Sequence, residues 1–403
     1  MTDLTRVRVS GPLESYACGF AVELSRQGYA PVSARLQLHL VAHLSRWLAG
    51  EELDAAALTL PVVEAFLATR RAAGYTRFRS VEALVPLLGY LRGLGAAPPA
   101  PVVVAVGPVE ELLERYRRYL SVERGLAGET VRGYVKMVRP FLAGRVSSGG
   151  LDLEHLRAGD VSAFLVGACR EGRGGSVKLI VTALRSLLGF LHVEGVLEES
   201  LSAAMPSVAG WRLAGLPRAL EAGEVRRLLA GCDRRTANGR RDFAIVTLLV
   251  RLGLRSSEVA ALELDDVDWR AGEILVRGKG NRRERLPLVV DAGQAMAAYV
   301  RRGRPSSAQG RCVFVRVRAP HRALTPLGVT QVVSGAARRA RLGPIHAHRL
   351  RHTAATEMLR AGAPLPEIGQ VLRHRRLAST AIYAKVDREA LRSLAREWPG
   401  GAA

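Results

Sequence analysis

The spacing of apolar residues divides the chain into three blocks. In residues 1–95 and 108–203, apolar positions recur three and four residues apart, as at Leu112, Leu113 and Tyr116. Helices that bury one face show this spacing. Each of the two blocks is therefore predicted to be a small bundle of about four helices.

The third block, residues 218–403, mixes two periodicities. Helical patterns occupy about 221–231, 240–254 and 256–264, and they resume from about 291 to the end. Residues 272–288 alternate in the manner of a strand on both sides of Gly-Lys-Gly-Asn, which predicts a β-hairpin. A further short strand is predicted near residues 312–316. The predicted fold class is mainly α (α+β), with two helical bundles followed by a mixed region that holds a small antiparallel sheet.

Stretches rich in proline and glycine separate the three blocks. They predict linkers at residues 96–107 and 204–217. The domain boundaries that follow are 1–95, 108–203 and 218–403.

The first two blocks resemble each other in sequence. VEAFL at 63–67 corresponds to VSAFL at 161–165, and LLGYL at 87–91 corresponds to LLGFL at 187–191. A third landmark with matched spacing lies upstream: Gly28, Ser33 and Arg35 against Gly125, Thr130 and Arg132. The order and nearly constant offset favour an internal duplication. Two unrelated amphipathic bundles are the alternative.

The charge of the chain is strongly positive and unevenly placed. Basic residues outnumber acidic ones by 59 to 37, and residues 218–403 hold 35 of the basic and 17 of the acidic residues. A field of this sign attracts polyanions, and double-stranded DNA is the first candidate. An acidic membrane surface would require an amphipathic or lipidated anchor, and neither is visible.

Cysteine usage favours a reduced, cytoplasmic setting. The four cysteines lie far apart: Cys18, Cys169, Cys232 and Cys312. This spacing excludes a CxxC metal site and disfavours a disulfide framework. No stretch resembles a membrane span, and the first ten residues lack the apolar run of a signal peptide.

The first candidate for chemistry is Arg255, which follows an apolar helix in RLGLRSSEVAAL. Gly253 permits a turn at this point, and Ser256 or Ser257 is predicted to cap the next helix. Glu258 falls in the first turn of that helix, where it can orient Arg255. A purely structural arginine–glutamate pair is the alternative.

Lys279 is the second candidate. The chain contains only four lysines, and this one lies at the tip of the predicted hairpin between two glycines. Lysine can be tuned to release a proton near neutral pH, whereas arginine cannot. The alternative is a solvated loop lysine.

A third candidate cluster lies in HAHRLRHTAATEML, residues 346–359. His348, Arg351 and His352 are spaced to share one face of a helix. His346 and His348 together could also ligate a metal ion. A fuller ligand set is usual for metal sites, and no cysteine or carboxylate cluster lies nearby in sequence.

The fourth candidate cluster lies in LRHRRLASTAIYAKVD, residues 372–387. His374 is predicted to close a helix, and Ser379 or Thr380 to cap the next one. Tyr383 falls in the first turn after that cap. Taken alone, this tyrosine is as well explained by packing.

Together, two arginines, a lysine, two histidines and a tyrosine suit attack on a phosphodiester without a metal ion. Arginine forks bind the non-bridging oxygens and neutralise the charge of the transition state. A histidine can accept the phenolic proton, and the phenolate becomes a covalent nucleophile. The lysine can protonate the departing 5′ oxygen. No cofactor is required.

The motifs resemble those of the tyrosine recombinase/integrase family. They stand in the family order as GLRSSE at 253–258, GKGN at 278–281, HRLRHT at 348–353 and LRH…IY at 372–383. The resemblance implies that residues 218–403 are a catalytic domain. It further implies that 108–203 is a SAM-like helical domain that binds the DNA core site.

The resemblance assigns the phosphate-binding groups. Arg255 and Arg351 are implied as the phosphate-binding arginines, and His374 as a second phosphate ligand. His348 is implied either as the general base or as a phosphate ligand.

The remaining roles follow from the same resemblance. Tyr383 is implied as the nucleophile of a 3′-phosphotyrosyl link and Lys279 as the general acid of the hairpin. Glu258 and His352 are implied as supporting residues.

Two features depart from the family pattern. The family commonly has glycine where this chain has Arg373, and arginine resists a positive φ. The block at 1–95 also exceeds the minimal two-domain plan. A second DNA-contacting or arm-binding role and a role in protein–protein contact are both open for it.

The function expected from the resemblance is site-specific DNA recombination by a tetramer on two sites, with an accessory directionality protein as a further partner. Integration, excision, transposition and dimer resolution are all open outcomes. A type IB topoisomerase and a non-catalytic DNA-binding relative are the alternatives. We expect the protein in the cytoplasm, associated with the nucleoid when bound to DNA.

The tail after Tyr383 has an apolar face at helical spacing, formed by Leu391, Leu394, Ala395 and Trp398. Such a face can pack on its own domain or dock on a neighbouring subunit. Both arrangements are open.

Overall fold

The computed structural model of the chain describes residues 7–100, 107–147, 150–170, 174–205, 219–278, 282–374, 380 and 382–383. Lys279, half of the first predicted linker, most of the second and the tail after Tyr383 lie outside these residues. The described part is mostly helical with two small antiparallel sheets, which confirms the predicted fold class.

Over residues 7–95, the first block forms four α-helices. They are α1 (Glu14–Arg26), α2 (Pro31–Gly50), α3 (Leu60–Ala72) and α4 (Val85–Gly93). Proline lies in the first two positions of the last three, where its fixed φ suits a helix start and its missing N–H costs no hydrogen bond. The helices enclose a core that includes Phe20, Leu44 and Leu91.

The second block also forms four α-helices. They are α5 (Pro108–Arg118), α6 (Gly128–Ala143), α7 (Ala158–Arg170) and α8 (Gly174–Val193). One turn of π-helix, Tyr119–Glu123, extends α5, and the strands β1 (Val146–Ser147) and β2 (Gly150–Leu151) pair antiparallel between α6 and α7. Tyr116, Phe190 and Leu184 lie in its core.

The landmarks of the predicted duplication fall at matching places in the two bundles. Residues 63–67 lie in the third helix of the first bundle, and residues 161–165 lie in the third helix of the second. Residues 87–91 and 187–191 lie in the two fourth helices. The upstream glycines, Gly28 and Gly125, precede the second helix of each bundle with positive φ values of 83° and 56°. These correspondences favour the duplication, which remains a prediction.

In its described residues, the third block forms seven α-helices and a sheet. The helices are α9 (Ala222–Ala230), α10 (Ala237–Leu252), α11 (Ser256–Ala260), α12 (Val290–Arg302), α13 (Pro326–Arg339), α14 (Ala347–Arg360) and α15 (Leu365–Val371). Their core surrounds α10, which packs against α12, α13 and α14.

The predicted hairpin is confirmed in the described residues. Strands β4 (Glu273–Arg277) and β5 (Arg283–Pro287) pair antiparallel, with Ile274 opposite Leu286. A third strand, β3 (Val267–Asp268), pairs with β4 and was not predicted. The prediction of a strand near residues 312–316 is wrong.

In its place the chain makes two isolated bridges. Cys312 pairs with Glu263, and Val315 pairs with Ala323. Val313 and Phe314 lie between the two bridges and are buried. Their burial explains the apolar pattern, although no continuous strand forms.

The chain divides into two compact units, residues 1–99 with 213–403 and residues 100–212. Within the described residues, each block has its own hydrophobic core. A fourth, small cluster gathers Ala355, Ile368, Leu372 and Tyr383. The domain boundaries given above remain predictions. Among the described helices, none has the length and apolar character to cross a membrane.

Candidate active site

The turn between α10 and α11 brings Arg255 and Glu258 together. Gly253 ends α10 at a φ of 58°, and a Cβ there would collide with Leu372, so both the conformation and the space require glycine. Arg255, rather than Ser256 or Ser257, occupies the N-cap position of α11, so the capping prediction is wrong. The Glu258 carboxylate supplies the cap by accepting the Arg255 N–H at 2.8 Å.

The guanidinium of Arg255 is held by two acceptors. Its Nη1 donates to Glu258 Oε1 at 2.6 Å, and its Nη2 donates to the carbonyl of Arg373 at 3.2 Å. The Arg255 side chain is 36% exposed, whereas that of Glu258 is 1% exposed. Arg255 is therefore oriented by buried groups while part of it stays open to solvent.

Arg351 lies on the first turns of α14 and is buried, with 3% of the residue exposed. Its Nη1 donates to the carbonyl of Gly253 at 2.6 Å, and its Nη2 donates to the carbonyl of Leu372. Burial, followed by the charge of Arg255, lowers the pKa of Arg351 to about 10. The group stays charged at neutral pH, and these two carbonyls fix its direction.

His348 and His352 lie one turn apart on α14 and meet edge to face, with ring centroids 4.4 Å apart and an interplanar angle of 69°. Nδ1 of His352 lies 2.9 Å from the phenolic oxygen of Tyr383. Burial, then His348, then Arg351 lower the pKa of His352 to about 4. The ring is therefore neutral at pH 7, and an unprotonated Nδ1 can accept the hydrogen bond of the phenol.

His374 follows α15 and approaches the same tyrosine. Its Nδ1 lies 2.8 Å from Oγ1 of Thr380, and its ring is nearly parallel to that of Tyr383, with centroids 6.4 Å apart. Burial, then Arg351, then Arg255 lower the pKa of His374 to about 4. Thr380 thus contacts His374 through the hydroxyl that the sequence assigned to a helix cap.

Tyr383 is 2% exposed. Burial raises the pKa of its phenol, and the positive charge of Arg351 acts in the opposite direction. Desolvation therefore favours the neutral phenol in the chain without DNA.

His348 is more open than its neighbours. Loss of surrounding water lowers the pKa of its ring, and the charges of Arg351 and Arg255 lower it further. The same two arginines also act on His374. The structure thus gathers five of the six predicted catalytic residues, and the sixth, Lys279, lies outside the described residues.

Sequence reasoning missed two contributors and underrated a third. Arg373 forms an ion pair with Glu258 at 2.8 Å, although the sequence marked it only as a departure from the family. Thr380 orients His374. His352 contacts the phenol directly, and the spacing of three to four residues between His348, Arg351 and His352 was the signal available for it.

No group of three or more histidine, cysteine, aspartate or glutamate residues that could hold a metal ion occurs in the part of the chain that the structure describes. The described cluster instead combines guanidiniums, neutral imidazoles and a phenol. Such a set can bind a phosphate, stabilise negative charge on it and accept the proton of a nucleophile.

Two family models match the chain. The model described as "Phage integrase family" matches residues 218–390, and the model described as "Phage integrase, N-terminal SAM-like domain" matches residues 113–195. Both lie in blocks that the motif resemblance had assigned to these roles.

Similar proteins include one that matches nearly the whole chain. The protein y4rA of Sinorhizobium fredii, whose name places it with integrases and recombinases, is 41% identical over 97% of this chain and 96% of its own length. The tyrosine recombinase XerD of Listeria monocytogenes is 30% identical over 72% of this chain and 99% of its own length. This chain is therefore longer than XerD, and its additional length is shared with y4rA.

Solved structures show the same fold at lower identity. The XerH site-specific recombinase in a post-cleavage complex on a palindromic difH substrate has a TM-score of 0.55 and 18% identity, over 74% of this chain and 98% of the other. A lambda integrase tetramer bound to a Holliday junction has a TM-score of 0.53 and 17% identity, over 81% of this chain and 90% of the other.

Proposed function

Because the chain belongs to the phage integrase family of tyrosine recombinases and is a site-specific recombinase, we propose that Tyr383 cleaves DNA through a covalent 3′-phosphotyrosyl intermediate. The observation that carries the proposal is the contact of its phenolic oxygen with His352, beside the buried guanidinium of Arg351. This contact supports the proposal, because it joins a phenol, a histidine that can accept its proton and a positive charge that can bind a phosphate.

The proposed reaction proceeds in two reversible transfers. The phenolic oxygen of Tyr383 attacks the phosphorus, a new P–O bond forms, and the bond to the 5′ oxygen breaks. The phenol proton passes to a histidine, and Lys279 gives a proton to the departing 5′ oxygen. A 5′ hydroxyl from the partner strand then attacks the phosphotyrosine and releases the phenol.

Arg255 and Arg351 bind the non-bridging oxygens of the phosphate in this proposal. The chain carbonyls that hold both side chains fix their direction before DNA binds, so little reorganisation accompanies the reaction. His374 and His348 complete the phosphate site. The chemistry needs no cofactor or metal ion.

Two histidines compete for the role of proton acceptor. The family resemblance favours His348, and the distance of 2.9 Å to the phenolic oxygen favours His352. Burial keeps the pKa of His352 low in the absence of DNA. A bound phosphate raises the pKa of a neighbouring imidazole, so the affinity of His352 for the phenolic proton increases when the substrate arrives.

A nicked suicide duplex from the genomic neighbourhood of the gene tests this function. We expect an adduct that resists denaturation, persists in EDTA and is lost in Tyr383→Phe. Tyr299→Phe is a matched control, because Tyr299 is also buried in the third block but packs on Phe314. An adduct that survives Tyr383→Phe, or one that forms only with added magnesium, contradicts the proposal.

We also propose that the working unit is a tetramer on two duplexes. Exchange of two duplexes requires cleavage of four strands, and each chain supplies one tyrosine nucleophile in this mechanism. The lambda integrase structure of similar fold is a tetramer on a Holliday junction. The mass of the complex on a two-site substrate, measured by analytical ultracentrifugation, should correspond to four chains.

The tail bears on this assembly. If its apolar face docks on a neighbouring subunit, deletion of residues 388–403 should preserve binding to a single site and reduce synapsis of two sites. Unchanged synapsis contradicts docking on a neighbour and favours packing on the tail's own domain.

A further inference from the structure

Arg373 occupies a backbone conformation that favours glycine. Its φ is 56°, in the left-handed region, which costs a residue with a Cβ about 1–2 kcal/mol. The N–H of Arg373 donates to the Gln370 carbonyl at 2.8 Å, and the N–H of His374 donates to the Gly369 carbonyl at 2.9 Å. This pair of bonds terminates α15 in the manner usually provided by glycine at this position. Arginine at this position therefore has a backbone cost that glycine would not have.

The side chain of Arg373 turns inward rather than into solvent. It is 5% exposed, and its Nη2 donates to Glu258 Oε2 at 2.8 Å. Its Nη1 donates to the carbonyl of Val371 at 2.9 Å. Its Nε is buried and has no hydrogen-bond partner among the described residues. Burial of a charged group with an unsatisfied donor is costly, so the ion pair with Glu258 is the main compensation.

Glu258 is thereby shared between two arginines. Its Oε1 accepts from Arg255, and its Oε2 accepts from Arg373. Burial alone would raise the pKa of Glu258, but the charges of Arg373 and Arg255 outweigh burial and hold the pKa below its ordinary value. The carboxylate is therefore ionised, and its single negative charge faces two positive charges.

The charge balance of this trio differs from that of a simple pair. If Glu258 faced Arg255 alone, the carboxylate would cancel the charge with which that arginine attracts a phosphate. With Arg373 present, the side chains of Arg255, Glu258 and Arg373 together have a net charge of +1, and this charge lies on the exposed Arg255. Arg373 also accepts a hydrogen bond from Arg255 through its own carbonyl.

We propose that Arg373 is a positioning residue for DNA cleavage: it neutralises Glu258 and anchors Arg255, so that Arg255 retains its full charge for the scissile phosphate. The inference rests on the proposed function of the site. Direct phosphate binding by Arg373 is disfavoured, because both Nη atoms are engaged and the side chain is nearly inaccessible.

The test compares Arg373→Gln, Arg373→Lys and Arg373→Gly in single-turnover cleavage of the suicide duplex, with the DNA Kd measured separately. We expect Arg373→Gln to cleave about 10- to 100-fold more slowly, which corresponds to about 1.4–2.7 kcal/mol. The Kd should change less than about threefold, because many other phosphate contacts contribute to binding. Arg373→Lys restores the charge and should recover most of the rate.

Arg373→Gly separates positioning from helix termination. Glycine removes the backbone cost and preserves the end of α15, while cleavage should be as slow as in Arg373→Gln. Cleavage by Arg373→Gly at the wild-type rate would overturn the proposal, because it would show that the residue only ends the helix.

A double-mutant cycle tests whether the effect passes through Glu258. In a Glu258→Gln background the carboxylate charge is absent, so the further change Arg373→Gln should alter the rate by less than about threefold. An undiminished loss in that background would also overturn the proposal.

A measurement without DNA separates this inference from the proposed function. The carboxyl carbon resonance of Glu258, identified by its loss in Glu258→Gln, should titrate at higher pH in Arg373→Gln than in the wild type. Among the described residues, the other titratable or charged groups near this carboxylate or its arginines are Arg255, Arg351, His348 and His374, and all are retained in Arg373→Gln. An unchanged titration refutes neutralisation by Arg373, whereas failure of the wild type to form any adduct refutes the proposed function.

Discussion

Buried arginines have different partners in the first helical bundle and in the third block, residues 218–403, which is called the catalytic region below. Arg70, at the end of α3, is 6% exposed and lies over the ring of Tyr75, with 4.1 Å from Cζ to the ring centroid. Among the described residues, Arg70 donates one hydrogen bond, to the carbonyl of Arg77, and its Nε and Nη1 have no partner. The aromatic ring, and not an anion, is its principal neighbour.

The catalytic region gives its buried arginines directed acceptors. Arg241 donates twice to Asp242, which also accepts from Arg339. Arg351 donates to two main-chain carbonyls, and these leave its charge uncancelled. Burial is thus shared by all three arginines, whereas a fixed direction together with an uncancelled charge distinguishes Arg351, which we propose binds the phosphate.

Replacement of Arg351 should produce the largest effect. Arg351→Ala removes the directed charge, and cleavage should fall by about 10³-fold, as when a preorganised transition-state donor is lost. Single-turnover cleavage measures the change. Arg360→Ala on the same helix is the control, because Arg360 is exposed and pairs only with surface carboxylates. Equal effects of the two substitutions would contradict a special contribution of Arg351 to cleavage.

Asp242→Asn tests Arg241, the buried arginine whose charge is paired with a carboxylate. It leaves the buried Arg241 without its compensating charge, and the free energy of unfolding should fall by about 3 kcal/mol. Chemical denaturation measures the loss. Asp233→Asn, at an exposed pair with Arg235, should cost far less. A loss below about 1 kcal/mol would mean that Asp242 compensates little.

Lowering the pH should destabilise the catalytic region through His352 and His374. Their folded-state pKa values are about 4, below the ordinary value of 6.5, so the unfolded chain binds more protons between these limits. Their contribution to stability is complete above pH 6.5 and is lost as the pH falls toward 4. The pH dependence of the melting temperature should be shallower in His352→Gln/His374→Gln.

His155→Gln, at an exposed histidine, is the control for the substitution itself. A double variant that is as sensitive to acid as the wild type would assign the acid loss to other groups, such as the buried carboxylates.

The smallest effect is expected at Arg70. Arg70→Met keeps the apolar packing on Phe66 and Tyr75 and removes two unsatisfied donors, so the free energy of unfolding should change by less than about 1 kcal/mol. Cleavage should be unaffected. Arg241→Met in the catalytic region should cost more, because it leaves Asp242 with fewer donors. A large loss at Arg70 would show that the ring contact is as strong as a salt bridge.

The secondary-structure elements and the family could be predicted because they depend on residues that are close together in the sequence. Glycine at 253 and the alternation on either side of 278–281 specify a turn and a hairpin within a few residues. Val313 and Phe314 gave the same apolar signal as a strand, yet the chain makes only isolated bridges there, because pairing depends on a distant partner.

The fine geometry of the site depends on contacts between distant segments. Arg373 and Glu258 are 115 residues apart, and His352 and Tyr383 are 31 apart. Sequence spacing placed each motif on its element but could not say which histidine would meet the phenol. The same holds for Arg373, whose contact with Glu258 follows only from the three-dimensional structure.

The near-complete enclosure of Tyr383 bears on how the protein behaves between encounters with its target. A small activated ester diffusing past the free chain meets no open hydroxyl, so idle molecules should be poor at adventitious hydrolysis or self-acylation. If Tyr383 is the nucleophile, as proposed, it should react only when bound DNA rearranges the surroundings of the ring. Tyrosine-directed reagents applied with and without duplex would reveal that dependence.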